Sequence, residues 1–328
     1  MPCARTTHRK LLSGGVGRAR GTLAHGVRRG SARGDPQGGG LAARLGVGPR
    51  HPAAMNSQDL PGTTPLRFDR AREAGISRRE LDSDEFVRVR RGVYLGAGVD
   101  TSSPEVRTRI AAEIAGARGC LGGWAAARVY EEEVLRHLPD RAALHVFDGR
   151  VPWPEGVGQL EPLLLCLDPQ AKLTASPGIE PLRSRLEPED AVVVDGLRLT
   201  SPVRTAFDLA RKRTLWGGVI AVDRLVHLGI VGLDEFQEYV GRHRGKHGVR
   251  QATKVAALAN GRAESPPETV TRLLWLEAGL PQPEVNVEIF DAQGEFVARV
   301  DMLEPRTRVA VEYDGEHHAS AAQRSRDS

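Results

Sequence analysis

The strongest constraint on the fold of this chain is a pair of apolar, β-branched runs near its end. The first run covers residues 297–303, the second covers residues 308–314, and a Pro-containing stretch at 304–306 separates them. Two such runs around a short turn predict a pair of antiparallel strands. A tight loop between them would place Asp301 opposite Glu312, with their Cβ atoms about 5 Å apart.

The acidic residues of this predicted hairpin suggest a metal site. Glu312 and Asp314 are two residues apart on one strand, so they would share the face on which Asp301 lies. Carboxylates this close cannot all ionise cheaply without a cation, and oxygen ligands suit magnesium or manganese. The alternative is that these acids form the solvent-facing side of an ordinary hairpin. The apolar run 309–311 just before Glu312 is typical of a buried strand, where a lone charge is costly, and this favours the metal site.

A helix upstream of the hairpin carries another acidic residue. Ser265 is a helix-capping residue, two prolines follow it in the first turn, and Glu268 stands at the capping-box position. Gly279 and Pro281 predict the end of this helix. The predicted order is a helix with a glutamate, a strand, a strand with an aspartate, and a strand with a glutamate.

The pattern AESPPET…AGLPQPEVN…FVARVD…VAVEYDGEHH resembles the PD-(D/E)xK nucleases, in the branch similar to the very-short-patch-repair endonucleases. The resemblance implies a restriction-endonuclease-like α/β domain over residues 261–328. It also implies that Asp301 and Glu312 hold Mg²⁺ or Mn²⁺ and that Glu268 and His318 assist catalysis.

The chain departs from this family in two ways. Asp314 stands where a lysine is usual, so either Asp314 is a further ligand or His317 or His318 transfers the proton. The resemblance stops at Ser328, where domains of this branch continue into a helix and a strand. We therefore expect the nuclease-like domain to be incomplete.

Length and composition set broad limits. A chain of 328 residues is long enough for roughly two or three domains, and a hydrophobic fraction of 40% is ordinary for a globular protein. The three cysteines are far apart in sequence and form no C-x-x-C pair, which favours a reducing cytoplasm over a zinc or disulfide framework. The longest apolar stretch, 217–233, contains charged residues. It therefore predicts one or two helices of a globular protein rather than a membrane-spanning segment, and no membrane partner is expected.

The first 54 residues differ from the rest in charge. They hold ten Lys and Arg against the single acidic residue Asp35, so of the 46 basic and 42 acidic residues the remainder carries 36 and 41. This Gly- and Arg-rich tail lacks hydrophobic periodicity, which predicts disorder. Either it is a nucleic-acid-binding arm, or it is translated upstream sequence and Met55 is the true start.

Residues 55–100 read as helix, turn, helix and hairpin. This module resembles the winged-helix N-terminus of AbiEi-type antitoxins of abortive-infection systems, in which the sequence RRGVYL recurs. The resemblance implies DNA as a partner, and a cognate toxin protein as a possible second one. It assigns groove or phosphate contacts to five arginines. They are Arg78, Arg79, Arg88, Arg90 and Arg91. The alternative is that these arginines only solvate a small domain.

Residues 101–260 predict a mixed α+β region that resembles the middle of the same antitoxin-like proteins. A helix is expected from Glu105 to Ala117, and strands are expected at 144–147 and 162–167. Ser201 would cap a further helix, in which a buried Arg204–Asp208 pair has a structural role.

We therefore expect an α/β protein, α+β overall, whose leading function is magnesium-dependent DNA cleavage or nicking. The alternative function is a non-catalytic DNA-binding regulator of the antitoxin type that carries a vestigial nuclease domain. Both functions fit a cytoplasmic protein.

Overall fold

The computed structural model describes residues 64–116, 119–137, 145–152, 156, 158–173, 175 and 177–313. The described chain is of the mixed α+β class, with nine α-helices and three β-sheets. Its contacts divide it into two compact units, with the boundary between Ala259 and Asn260. The predicted small module and middle region belong to the same unit.

The first unit begins with a small helical and β module. Its elements are β1 (Leu66–Arg67), α1 (Phe68–Glu73), α2 (Arg78–Leu81), β2 (Phe86–Arg90) and β3 (Val93–Gly96), with sheet order β1-β3-β2. A capping box opens α2. Ser77 Oγ accepts a hydrogen bond from the Glu80 amide, and the Glu80 carboxylate accepts one from the Ser77 amide at 2.7 Å.

Both faces of this small sheet are covered. Tyr94 of β3 packs in a cluster with Ala71 and Leu81, whereas its neighbour Leu95 packs against Val106 and Ile110. The last two residues belong to α3 (Pro104–Ala115). Because successive strand residues point to opposite faces, the sheet lies between α1 and α2 on one side and α3 on the other.

A five-stranded mixed sheet follows in the same unit. Its strands are β4 (Gly119–Gly122), β5 (Leu163–Leu167), β6 (Ile179–Arg183), β7 (Ala191–Val194) and β8 (Leu197–Thr200), in the order β6-β5-β4-β8-β7. The pairs β4–β8 and β5–β6 are parallel and the other two pairs are antiparallel. Every residue of β5 is buried, as its apolar sequence predicts.

Five helices complete the first unit. They are α4 (Gly123–Arg136), α5 (Pro202–Lys212), α6 (Leu215–His227), α7 (Leu233–Arg242) and α8 (Val249–Leu258). None of the helices in the described ranges has both the length and the apolar character needed to cross a bilayer.

The strand predicted at 144–147 is wrong where the structure describes it, because residues 145–147 are irregular. The backbone amides of Val146 and Phe147 both donate to the buried Glu131 carboxylate, at 3.2 Å each. The Glu131 side chain of α4 therefore accepts hydrogen bonds from the amides that would otherwise donate to a neighbouring strand.

The second unit contains one helix and one antiparallel sheet. Its elements are α9 (Pro266–Glu277), β9 (Glu284–Phe290), β10 (Phe296–Glu304) and β11 (Val309–Val311), with sheet order β11-β10-β9. Gly279, with a φ of 74°, follows the end of α9 as predicted. Along β10, Val300, Met302 and Glu304 are buried, so Asp301 lies on the opposite, more accessible face.

A candidate carboxylate site on the C-terminal hairpin

The register of the β10–β11 hairpin is the predicted one. Met302 pairs with Val311 and Glu304 pairs with Val309. Continued by one residue, this register places Asp301 opposite Glu312. The hairpin thus brings two carboxylates, eleven positions apart in the sequence, to neighbouring strand positions.

The turn of this hairpin is held by Glu304. Its carboxylate accepts a hydrogen bond from the Thr307 amide at 2.6 Å, and its carbonyl accepts one from the Arg308 amide at 2.8 Å. Hydrogen bonds from the Thr307 hydroxyl and the Thr307 amide to the carboxylate hold the pKa of Glu304 below its usual range, and the bond from the hydroxyl is the larger cause. The register at Asp301 therefore depends on a well-anchored turn.

Asp301 also holds the chain beyond β11. Its Oδ2 accepts a hydrogen bond from the Tyr313 amide at 2.7 Å, and the side chain is half-buried. This bond ties the residue after Glu312 to the middle strand. It therefore connects the two chain segments beyond the end of β11 at Val311.

The expectation that Glu312 lies in a buried strand is wrong. All three residues of β11 are half-buried, and Glu312 is exposed. The reason is that β11 is an edge strand of the sheet formed by the described residues. The Glu312 carboxylate is therefore accessible to a ligand from solvent.

Glu268 has the local role predicted for it at the start of α9, with one difference. Its amide donates to Ser265 Oγ at 3.4 Å, and its Oε1 accepts from the Ser265 hydroxyl at 2.7 Å. In a standard capping box the Glu268 carboxylate would accept a hydrogen bond from the Ser265 amide. Here its Oε2 accepts one from the Glu264 amide instead, at 3.0 Å. The carboxylate is therefore fixed at the beginning of the helix.

Asn286 of β9 links Glu268 to the strands. Its Nδ2 donates to Glu268 Oε2 at 2.8 Å. The pairs Val300–Val287 and Met302–Val285 flank it, so Asn286 occupies the strand position opposite Asp301. The positions of Asn286, Asp301 and Glu312 thus form one row across the three strands.

The row contains fewer carboxylates than the sequence predicted for the site. Within the described ranges, no group of three or more His, Cys, Asp or Glu side chains is close enough to hold a metal ion. Asp314, His317 and His318 lie outside the described residues. Asp301 and Glu312 are the pair that would hold a cation, and their oxygen atoms suit Mg²⁺ or Mn²⁺.

Asn286 is not indicated by the motifs described above, although it contacts Glu268 and lies opposite Asp301. A signal was available, because asparagine is depleted in strands and is one of the few residues that tolerate a left-handed backbone. Its position inside the apolar pattern of β9 could have been read as a local irregularity.

The five arginines assigned to DNA contacts differ in what surrounds them. Arg79, Arg88 and Arg91 are exposed, and Arg78 is an exposed partner of Asp82 at 3.6 Å. Arg90 instead donates to the Pro177 carbonyl at 2.9 Å. The exposed positive charges of the β2–β3 hairpin are therefore those of Arg88 and Arg91.

A helix that reads bases from the major groove needs more than one turn of exposed side chains. The helix α2 has four residues, so it presents little surface of this kind. Any DNA contact by this module would involve mainly phosphates.

A second cluster of charged residues lies in the first unit and is fully buried. Arg204 of α5 contacts Asp190 and Asp208, at 3.0 Å each. Tyr239 donates to Asp190 at 2.6 Å, and Arg211 contacts Asp208 at 2.7 Å. The predicted structural Arg204–Asp208 pair is confirmed and is part of a larger network.

Ser201 precedes α5 at the predicted capping position, but its side chain accepts no hydrogen bond from the helix. The predicted side-chain cap is therefore absent at this helix start. The buried network of Arg204 and Asp208 anchors the helix instead.

Comparisons with known proteins identify relatives but assign no activity. No protein-family model matches the chain, and no solved structure matches it. It is similar to the uncharacterized protein Rv2248 of Mycobacterium tuberculosis strain ATCC 25618 / H37Rv and to the uncharacterized protein MT2308 of strain CDC 1551 / Oshkosh. Each is 34% identical over 135 residues, which are 41% of this chain and 49% of the relative. The chain spans about half the length of these curated relatives.

Proposed function

We propose that the protein is a metal-dependent DNA endonuclease of the PD-(D/E)xK type, similar to the very-short-patch-repair branch. Asp301 and Glu312 would hold Mg²⁺ or Mn²⁺, and Glu268 would assist from the start of α9. The antitoxin-like module at 55–100 would supply contacts to the DNA backbone.

The observation that carries the proposal is the hairpin register. It sets Asp301 of β10 opposite Glu312, the residue that follows β11, and a backbone hydrogen bond holds the Asp301 carboxylate. Two close carboxylates repel each other when both are ionised, and a divalent cation removes this repulsion. The exposure of Glu312 leaves the pair accessible to both a cation and a phosphodiester.

The bound cation would polarise a phosphoryl oxygen and lower the pKa of a water molecule. The contribution of this chain is to hold oxygen ligands in a fixed geometry. Asp301 is restrained by the Tyr313 amide, and Glu268 is restrained by three hydrogen-bond donors. This degree of restraint is what a catalytic site requires of its supporting groups.

A nicking assay tests the proposal. Supercoiled plasmid should be nicked in the presence of Mg²⁺ or Mn²⁺, and EDTA or the substitution Asp301→Asn should reduce nicking to background. The asparagine keeps an oxygen that can accept from the Tyr313 amide, so the hairpin should remain intact.

The matched control is Glu288→Gln, which neutralises an exposed carboxylate of β9 at the strand position opposite Arg299. Nicking should be unchanged by this substitution. Equal nicking by wild type and Asp301→Asn would contradict the proposal.

A second function, DNA binding without catalysis as in an antitoxin-type regulator, is favoured by one observation. Arg88 and Arg91 extend into solvent from the β2–β3 hairpin. If they contact phosphates, replacing both by Ala should weaken binding of all duplexes alike and reduce the salt slope by about two.

Fluorescence anisotropy at several salt concentrations measures this slope. Arg90→Ala is the control, because Arg90 already contacts the Pro177 carbonyl. DNA binding that depends on Arg88 and Arg91, with no nicking under any metal condition, would favour the regulator.

A further inference from the structure

One edge of the five-stranded sheet is open to pairing with a further strand. In the sheet formed by the described residues, the edge strands are β6 and β7. The strand β6 has Pro181 at its centre, which has no N–H to offer a further strand, and it ends at the charged Arg183. The strand β7 has the sequence Ala-Val-Val-Val, without a proline or a charge, and Val193 is 38% exposed. An uncharged, β-branched edge of this kind is suited to pairing with an extended segment.

The register of the β7–β8 hairpin determines which backbone groups of β7 face outward. The two-residue turn makes Val194 and Leu197 a hydrogen-bonded pair, and bonded and non-bonded pairs then alternate along the two strands. The Ser201 amide donates to the Asp190 carbonyl at 2.8 Å, as this alternation requires. The N–H and C=O groups of every second residue of β7 therefore point away from β8.

The residues of β7 with outward backbone groups are Ala191 and Val193. In the part of the chain that the structure describes, no backbone group outside the hairpin bonds to either of them. An antiparallel peptide would bond to both, and the peptide residue between these two contacts would lie opposite Val192. The side chain of that peptide residue would point to the same face of the sheet as the side chain of Val192.

A cavity of about 320 Å³ lies on this face, and Val192 is part of its wall. Further apolar walls are formed by Val203 at the start of α5 and by Ile230, which precedes α7. The volume is at the lower end of the range of ligand pockets, so the cavity suits a single side chain. A strand added to β7 would therefore have a side-chain pocket beside it.

The rim of the cavity carries an excess of negative charge. Among the described residues that line it, three are exposed glutamates and one is an arginine, Arg242. The glutamates are Glu187, Glu189 and Glu235. Asp190 also lines the cavity but is paired with Arg204 at 3.0 Å, and a protonated His243 would still leave the rim negative. The cavity thus fits a basic side chain, with its apolar stem against the walls and its charge at the rim.

We propose that β7 binds an extended segment of a partner protein by strand addition, and that a lysine or arginine side chain of this segment enters the adjacent cavity. Main-chain hydrogen bonds to Ala191 and Val193 provide affinity, and the acidic rim selects the basic side chain. The inference concerns the first unit and is independent of the proposed metal site.

The first probe is a short fluorescein-labelled peptide of alternating threonine and valine with an arginine at its centre. Fluorescence anisotropy should show that it binds to the full chain. Replacing its arginine by glutamate should weaken binding about tenfold, because like charges then meet at the rim.

Two N-methylated forms of the arginine peptide test for strand addition. In an antiparallel pairing, the residues on either side of the arginine donate their amides to β7, whereas the amide of the arginine itself points away. N-methylation of the two flanking residues should therefore abolish binding, and N-methylation of the arginine should leave it unchanged.

The matching change in the protein is Val193→Pro. It removes an outward N–H and no hydrogen bond of the β7–β8 ladder, so the fold should be retained. We expect the Kd for the arginine peptide to rise about tenfold, in line with the loss of a main-chain hydrogen bond. Val193→Thr is the control, since it keeps the N–H and the β-branched shape and should bind as wild type does.

A charge exchange tests the cavity without altering the strand. Glu189→Arg should weaken binding of the arginine peptide about fivefold and strengthen binding of the glutamate peptide. Glu238→Arg is the control, because Glu238 is exposed on α7 but does not line the cavity. It should leave both affinities unchanged. This comparison remains decisive if Val193→Pro fails to fold.

Several results would overturn the inference. It is refuted if the arginine peptide does not bind at up to about 1 mM, or if the two N-methylated peptides bind equally. Equal affinities for the arginine and glutamate peptides would refute the role of the acidic rim. If the peptide does not bind and Val193→Pro converts a dimer into a monomer in sedimentation experiments, β7 pairs with a second copy of the chain instead.

Discussion

The Arg204 network of the first unit and the Asp301–Glu312 pair of the second are both clusters of charged side chains, but they are built in opposite ways. In the network every acid has a basic or hydroxyl partner at hydrogen-bond distance, and the whole cluster is buried. In the hairpin Asp301 is half-buried and accepts a hydrogen bond from a backbone amide, Glu312 is exposed, and the register sets these two acidic residues opposite each other.

This difference indicates different roles. A buried charge that is fully paired contributes to the fold, and its removal leaves an uncompensated partner. Two like charges held side by side at an accessible edge contribute little to stability and are suited to a cation. Substitutions in the two regions should therefore affect different properties.

The largest expected effect is on stability, from Asp208→Asn. Asp208 is 0% exposed and contacts both Arg204 and Arg211. Removing its charge leaves two buried guanidinium groups undercompensated, which should cost about 3–5 kcal/mol in the free energy of unfolding. Urea denaturation measures this change.

Asp195→Asn is the control for this prediction. Asp195 forms an exposed ion pair with Arg136 and lies in a turn where asparagine is well tolerated. Its substitution should change stability by less than about 1 kcal/mol. Similar costs for Asp208→Asn and Asp195→Asn would remove the basis of the comparison.

A smaller effect is expected from Tyr239→Phe in the same network. The hydroxyl donates to Asp190 at 2.6 Å, and burial raises the pKa of Tyr239, so the group remains a donor at neutral pH. Its loss should cost about 1–3 kcal/mol. Tyr94→Phe, at a buried tyrosine of β3, is the matched control and should cost less. Equal losses in urea denaturation would mean that the hydroxyl of Tyr239 is unimportant.

The smallest effect concerns the pH dependence of the hairpin. The pKa of Glu304 is below its ordinary value of 4.5, mainly because of the Thr307 hydroxyl. Its stabilisation is therefore fully present above pH 4.5 and is lost as the pH falls through the folded-state pKa. Amide exchange of the β10–β11 residues should accelerate relative to neighbouring strands in this range, and Glu304→Gln should flatten the dependence. An identical pH dependence in wild type and variant would refute the role of Glu304.

Local signals predicted the elements that carry the candidate site. The β-branched runs and the Pro-containing turn predicted the register of Asp301 and Glu312, and the Ser265 segment predicted the start of α9. One local signal was overlooked, because Asp195-Gly196 between β7 and β8 is a typical hairpin turn.

The features that could not be predicted depend on contacts between distant residues. Residues 145–147 are irregular because their amides donate to the Glu131 side chain. Arg90 donates a hydrogen bond to the Pro177 carbonyl, 87 positions away in the sequence. The exposure of Glu312 follows from the edge position of β11, which its apolar sequence does not reveal. Such outcomes depend on tertiary packing, which overrides local preference.

The most direct test of the central claim is a Mn²⁺ titration by isothermal calorimetry of the 328-residue chain, its Asp301→Asn variant and the Glu288→Gln control. We expect the wild type and Glu288→Gln to bind Mn²⁺ with the same affinity and Asp301→Asn to show no binding, while all three unfold within about 1 kcal/mol of one another. Binding of Mn²⁺ by Asp301→Asn with wild-type affinity would contradict the claim that the Asp301–Glu312 pair is a cation site.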